Sequence, residues 1–132
     1  MKISAVVNNG PGGHEVRVHT DTVSKTLGIP AGKGGRGSSV NGGEFLMLAV
    51  ATCFCNDLYR EAARMGIGID GVEVEAVAEF PGPGLAATGI CYRAKVSSSA
   101  APERIAELLH RTDAVAEVHN TVRAGVAVEL LG

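Results

Sequence analysis

Among side chains that could do chemistry, Cys53 has the most telling context, the apolar run Asn41-Gly-Gly-Glu-Phe-Leu-Met-Leu-Ala-Val-Ala-Thr-Cys-Phe-Cys-Asn-Asp-Leu-Tyr59. Cys53-Phe-Cys55 could chelate a metal if extended. On a helix, residues two apart diverge by about 200°, so the sulfurs cannot share an ion. No nearby His or Asp completes a ligand set. Cys55 and Cys91 read as small core residues. A reactive thiol needs a lowered pKa, from a cation, a hydrogen-bond donor or a helix N-terminus. Cys53 lies ~18 Å from the start of its own helix, too far for that end to act. Periodicity alone therefore reads Cys53 as packing. His119, in Glu117-Val-His-Asn-Thr121, is the best-placed histidine, and on periodicity alone a surface or core-edge residue. His14, His19 and His110 read as surface residues. The loop Gly32-Lys-Gly-Gly-Arg-Gly-Ser-Ser39 offers Lys33 and Arg36 to an anion but lacks the nucleotide P-loop pattern. A solvated loop is the simpler account.

The elements that must position these residues follow from patterning. Residues 2–7 and 14–20 form a hairpin around Asn8-Asn-Gly-Pro-Gly-Gly13. A polar, glycine-rich loop runs from about Ser24 to Gly43. Asn41 and Glu44 have capping-box spacing and open helix one. Apolar residues cover most of its circumference, which predicts burial on nearly all sides, and Gly66 stops it. Val72–Phe80 alternates as a strand, Pro81-Gly-Pro-Gly84 turns the chain, and Thr88–Ser97 returns. Pro102 opens a helix whose buried side carries Ile105, Leu108 and Leu109. Asp113 is expected to cap a further helix through about Arg123, stopped by Gly125. Val126–Leu131 is expected as a closing strand. The order ββ-α-ββ-αα-β predicts an α+β fold in one domain spanning 1–132.

Composition sets outer limits. The 132 residues suit one compact domain, and a formal net charge of -2 with scattered basic residues gives no nucleic-acid footprint. No apolar run is long enough to cross a membrane, and the N-terminus lacks a signal-peptide core. Three cysteines argue against a disulfide framework and for a cytoplasmic location. With no Trp, two Tyr, three Phe and 18 Gly, the core is poor in large side chains. That favours sharing it with a second copy as a homodimer.

The segment Gly42-Gly-Glu-Phe-Leu-Met-Leu-Ala-Val-Ala-Thr-Cys-Phe resembles the P-x-E-L-L-L-A-A-x-x-x-C-F helix of the OsmC/Ohr family (osmotically inducible protein C and organic hydroperoxide resistance proteins). Ala116-Glu-Val-His-Asn-Thr-Val122 resembles that family's second-cysteine segment, C-P-V-H-N-T-L. The resemblance extends over nearly the whole chain from about residue 38. It implies an OsmC-like fold, with antiparallel sheets around a long buried central helix in an intertwined homodimer whose sites lie at the subunit interface. It further implies thiol-dependent reduction of organic hydroperoxides, an oxidoreductase role in the oxidative stress response without cofactor or metal. Cys53 would be the attacking thiolate. The chain departs from the family at Ala116, where the resolving cysteine would stand. Glu44 matches the glutamate of the broader family, but the hydroperoxide branch places its glutamate where this chain has Gly43. Arg36 and Arg17 are the candidates for the activating arginine.

Two functions follow from the resemblance. In the first, Cys53 acts as the single peroxidatic cysteine, restored by an external thiol or dithiol, with His119 or Arg36 helping to lower its pKa and Glu44 completing the candidate site. In the second, catalysis is lost and the interface cleft binds a small apolar or anionic ligand. A purely structural dimerisation module has no positive support.

Overall fold

The computed structural model describes residues 1–132. They group into two compact units, Met1–Phe45 and Leu46–Gly132.

In the first unit, β1 (Ile3–Gly10), β2 (Gly13–Thr20) and β3 (Val23–Leu27) form an antiparallel sheet in the order β1-β2-β3. The expected hairpin is present, in register from Ile3 opposite Thr20 to Gly10 opposite Gly13. The third strand corrects the sequence reading, which began a loop at Ser24. Ser24, Lys25 and Thr26 carry no apolar alternation, so only pairing with β2 identifies them as a strand. The turn into β3 places Asp21 at a φ of 51°, where its carboxylate accepts a hydrogen bond from the Lys2 backbone N–H at 2.8 Å. The loop that follows is ordered. Asn9 donates to the Gly35 and Gly37 carbonyls and accepts from the Gly37 N–H. Gly32 cannot carry a side chain, because a Cβ there would meet the Arg36 carbonyl oxygen at 2.5 Å.

Helix α1 spans Gly42–Arg64. Its start is the capping box read from sequence. The Glu44 N–H donates to Asn41 Oδ1 at 2.8 Å, and the Asn41 N–H donates to Glu44 Oε1 at 2.9 Å. All-round burial is not what the single chain provides. Val50, Phe54, Asp57, Leu58, Glu61 and Ala62 are buried, whereas Leu48 and Tyr59 are 57% and 48% exposed. An apolar stripe on both sides of a helix needs two covering surfaces, and one chain supplies one.

In the second unit, β4 (Gly71–Glu79) and β5 (Gly89–Ser97) pair antiparallel from Gly71 opposite Ser97 to Glu79 opposite Gly89. Val72, Val74, Tyr92, Ala94 and Val96 turn inward onto Phe54, Leu58, Ala62, Ile67 and Leu108. Burying side chains such as Phe54 and Leu108 stabilises the fold by about 1.5–3 kcal/mol each. Cys91, read as a core residue, is exposed: it lies opposite Val77 on the outer face of the pleat. Helix α2 runs Pro102–Val115 with Pro102 in its first turn, and α3 runs Glu117–Ala124. The break falls at Ala116, which is extended (φ −71°, ψ 108°), and not at Asp113. Asp113 instead sits inside α2, where its carboxylate is taken by Tyr92 and Arg123. Gly125 closes α3 at a φ of 62°. Val126–Leu131 forms no strand. Val128 and Leu130 are 99% and 100% exposed, and the segment pairs with neither sheet.

Candidate functional site

Cys53 lies at the middle of α1, and residues four and seven further on share its face. These are Asp57 and Arg60. Cys53 Sγ lies 3.6 Å from Asp57 Oδ2 and 3.8 Å from Glu117 Oε2, the latter from the first turn of α3. The Arg60 guanidinium stands 3.1 Å from Asp57 Oδ1, 3.2 Å from Glu61 Oε2 and 3.8 Å from Glu117 Oε1. Asp57 is 6% exposed and Glu117 is exposed. A thiol therefore faces two carboxylates, and the cation beyond them is bound to the carboxylates.

The electrostatics run against the sequence expectation of a lowered thiol pKa. Burial pushes the Cys53 thiol up, the charge of Asp57 adds to this, and only the Val118 backbone opposes them strongly. Asp57 is also raised, first by burial and then by sharing a hydrogen bond with Glu117. Glu117 is lowered, chiefly by a backbone hydrogen bond. Of the two carboxylates, Asp57 is thus the more basic.

Cys53, Asp57 and Glu117 also offer one sulfur and two oxygens within 4.8 Å of one another. The sequence reading found no Asp to accompany Cys53, whereas Asp57 lies one turn along the helix. These ligand types suit a divalent ion such as zinc. Arg60 stands 3.1 Å from Asp57 Oδ1 and 3.8 Å from Glu117 Oε1, so a divalent ion would have to compete with its charge.

The other sequence candidates have other partners or none. Glu44 is committed to capping α1. Arg36 is exposed in the first unit and makes no ion pair there, and Arg17 pairs with Glu15 at 3.1 Å. His119 does not hydrogen-bond the thiol. It is 5% exposed, packs edge-on against Tyr92 at 4.5 Å and tilted against Phe54 at 5.9 Å, and neither ring nitrogen has a partner. Burial, assisted by Arg123, holds it neutral. Beside it the Tyr92 hydroxyl donates to Asp113 Oδ1, and Arg123 Nη2 reaches the same carboxylate at 2.7 Å. Asp57, Arg60 and Glu117 are the residues sequence reasoning missed. The i, i+4, i+7 polar stripe within an apolar helix was a usable signal for the first two. Glu117 is 64 residues from Cys53 and carried none.

The antiparallel sheets, the long helix carrying a cysteine and the paired C-terminal helices make an α+β protein. The family model for OsmC-like proteins matches residues 35–131, and the chain belongs to that family. Solved structures agree in fold. The OsmC-like protein of Mycoplasma pneumoniae superposes with a TM-score of 0.64 at 18% identity, covering 92% of this chain and 86% of that one. An organic hydroperoxide resistance protein OsmC from Legionella pneumophila gives 0.61 at 19% identity, covering 98% and 95%. An organic hydroperoxide resistance protein from Elizabethkingia anophelis, solved with thiocyanate bound, gives 0.63 at 18% identity, covering 98% and 94%. No curated protein sequence matches the chain. No helix is long and apolar enough to cross a membrane.

Proposed function

We propose that this protein reduces organic hydroperoxides through Cys53 alone. The observation that carries the reading is the Cys53 thiol within reach of the Asp57 and Glu117 carboxylates, with Arg60 beside them. Because burial keeps the thiol protonated, reaction requires its proton to leave as the sulfur attacks. Asp57 Oδ2 accepts that proton. The sulfur attacks the terminal oxygen of ROOH, the O–O bond breaks, and the electron pair leaves with RO⁻. The alkoxide takes the proton back from Asp57 as ROH, leaving Cys53 as a sulfenic acid. An external thiol then condenses with it, releasing water and forming a mixed disulfide. A second thiol frees Cys53 and departs as a disulfide with the first.

No internal cysteine is placed to resolve the sulfenic acid. Ala116 has no sulfur, Cys55 diverges around the helix, and Cys91 lies on the exposed face of β5. The protein works as a homodimer in this reading. The exposed Leu48 and Tyr59 of α1 and the unpaired Val126–Leu131 are the surfaces a second copy covers, and sedimentation should give twice the chain mass. The family fold and the cysteine usage fit a cytoplasmic protein.

Peroxide consumption with a small dithiol tests the reading. It should vanish in Cys53→Ser and persist in Cys55→Ser and Cys91→Ser, while activity retained without Cys53 sinks it. A second reading draws on the raised thiol and on Ala116, and takes the chain as a family member that binds a small ligand without turnover. Intact mass after mild tert-butyl hydroperoxide separates the two, since only the first predicts one added oxygen or a mixed disulfide.

A further inference from the structure

A cavity of about 80 Å³ lies beside His119, lined by Val50 of α1, Ile90 and Tyr92 of β5, and His119, Val122 and Arg123 of α3. None of Cys53, Asp57 or Glu117 lines it. Two observations distinguish it from a packing gap. His119 is 95% buried, 5% of it being exposed, and both ring nitrogens lack a partner within the chain. Buried polar atoms are nearly always paired, so the partner comes from outside the chain. The walls also divide by chemistry. Val50, Ile90 and Val122 are apolar, while His119 and Arg123 carry hydrogen-bond donors. Arg123 gives Nη2 to Asp113 and Nη1 to the Asp113 carbonyl and Asn120, and its Nε–H makes no bond. The neutral imidazole keeps one N–H donor and one acceptor.

We propose that this cavity binds a short-chain monocarboxylate, its carboxylate accepting from the His119 N–H and the Arg123 guanidinium and its alkyl group lying on Val50, Ile90 and Val122. The volume of about 80 Å³ corresponds to about three liquid waters at roughly 30 Å³ each, close to the size of a two-carbon acid such as acetate. The apolar wall selects against inorganic anions, and the donor pair selects against neutral alcohols. Asp113 cancels part of the Arg123 charge, so binding is modest, with a Kd on the order of 1 mM. The inference does not rest on Cys53 reacting.

The test uses Cys53→Ser protein, which cannot turn over at that position, with the histidine rings followed by NMR. Sodium acetate should shift the His119 ring signals saturably with half-saturation in the low millimolar range. Equal concentrations of ethanol or sodium chloride should not. The shift should weaken several-fold in Arg123→Gln. A non-saturating response, or one that ethanol reproduces, overturns the proposal. So do His119 signals that move with protein concentration instead of with acetate, because a second copy then supplies the partner. Should Arg123→Gln fail to fold, the acetate and ethanol comparison still decides.

Discussion

Replacing Asp57 with Asn separates the two roles assigned to its carboxylate, because they predict opposite changes. The carboxylate oxygen lies 3.6 Å from Cys53 Sγ and opposes ionisation of the thiol. At that distance a unit charge is worth about 1 kcal/mol in water and more where water is excluded. With the thiol partly exposed, the loss of that charge is worth on the order of 1 kcal/mol. Asp57→Asn should therefore lower the thiol pKa and raise the thiolate fraction near neutrality several-fold. The weaker intrinsic nucleophilicity of a lower-pKa thiolate takes back part of this, leaving about a threefold gain. Iodoacetamide alkylation at pH 7, read by intact mass, should thus be about threefold faster. Hydroperoxide reduction should slow, by about tenfold or more, because the group that returns the proton to the alkoxide is gone. Arg60, released from Asp57, pushes alkylation the same way. Slower alkylation would refute the electrostatic reasoning, and unchanged hydroperoxide reduction would refute the proton-transfer role.

The remaining predictions concern the cap and the buried histidine. Asn41→Ala should cost about 1 kcal/mol in a denaturant titration. Glu44→Gln should cost only a few tenths, because Gln preserves the reciprocal bond, and should leave hydroperoxide reduction intact. Lost activity at unchanged stability would return Glu44 to a chemical role. His119 has a folded pKa below its ordinary 6.5, so its neutral form is favoured by folding. Below 6.5 the unfolded chain binds the extra proton first. The stabilisation is therefore complete above 6.5 and is lost as pH falls toward the folded value. Melting temperatures should decline on acidification through this window, and the decline should be smaller in His119→Phe. Equal slopes for the two proteins would count against a buried neutral imidazole.

Much of the fold could be read from local chemistry, and the parts that could not share a cause. Asn41 and Glu44 state the start of α1 because a cap is satisfied within four residues. Pro102 and Gly125 mark helix ends for similarly local reasons. β3 could not be seen, since polar Ser24, Lys25 and Thr26 acquire strand geometry only by pairing with β2. The position of the break between α2 and α3 was misread because Asp113 is a good cap by residue type, and its actual partners, Tyr92 and Arg123, are 21 and 10 residues away. Cys53 was identified by resemblance, but its surroundings were not, because Glu117 reaches it only through the fold. Val126–Leu131 has the alternation of a strand but pairs with neither sheet, because alternation records a preference and pairing needs a partner strand in register.

The brace between Arg123 and Asp113 has a mechanical consequence. Helix α3 is a rigid arm about 12 Å long, at 1.5 Å for each of its eight residues. It joins α2 through the single extended residue Ala116. By geometry alone, a rotation of about 10° at that junction would carry the far end some 2 Å while leaving Glu117, the first residue of the arm, almost in place. Arg123 grips Asp113 near the tip, where leverage is greatest. The thiol–carboxylate geometry is thus insulated by its closeness to the fulcrum, and the cavity beside His119 keeps its width through a clamp at the opposite end.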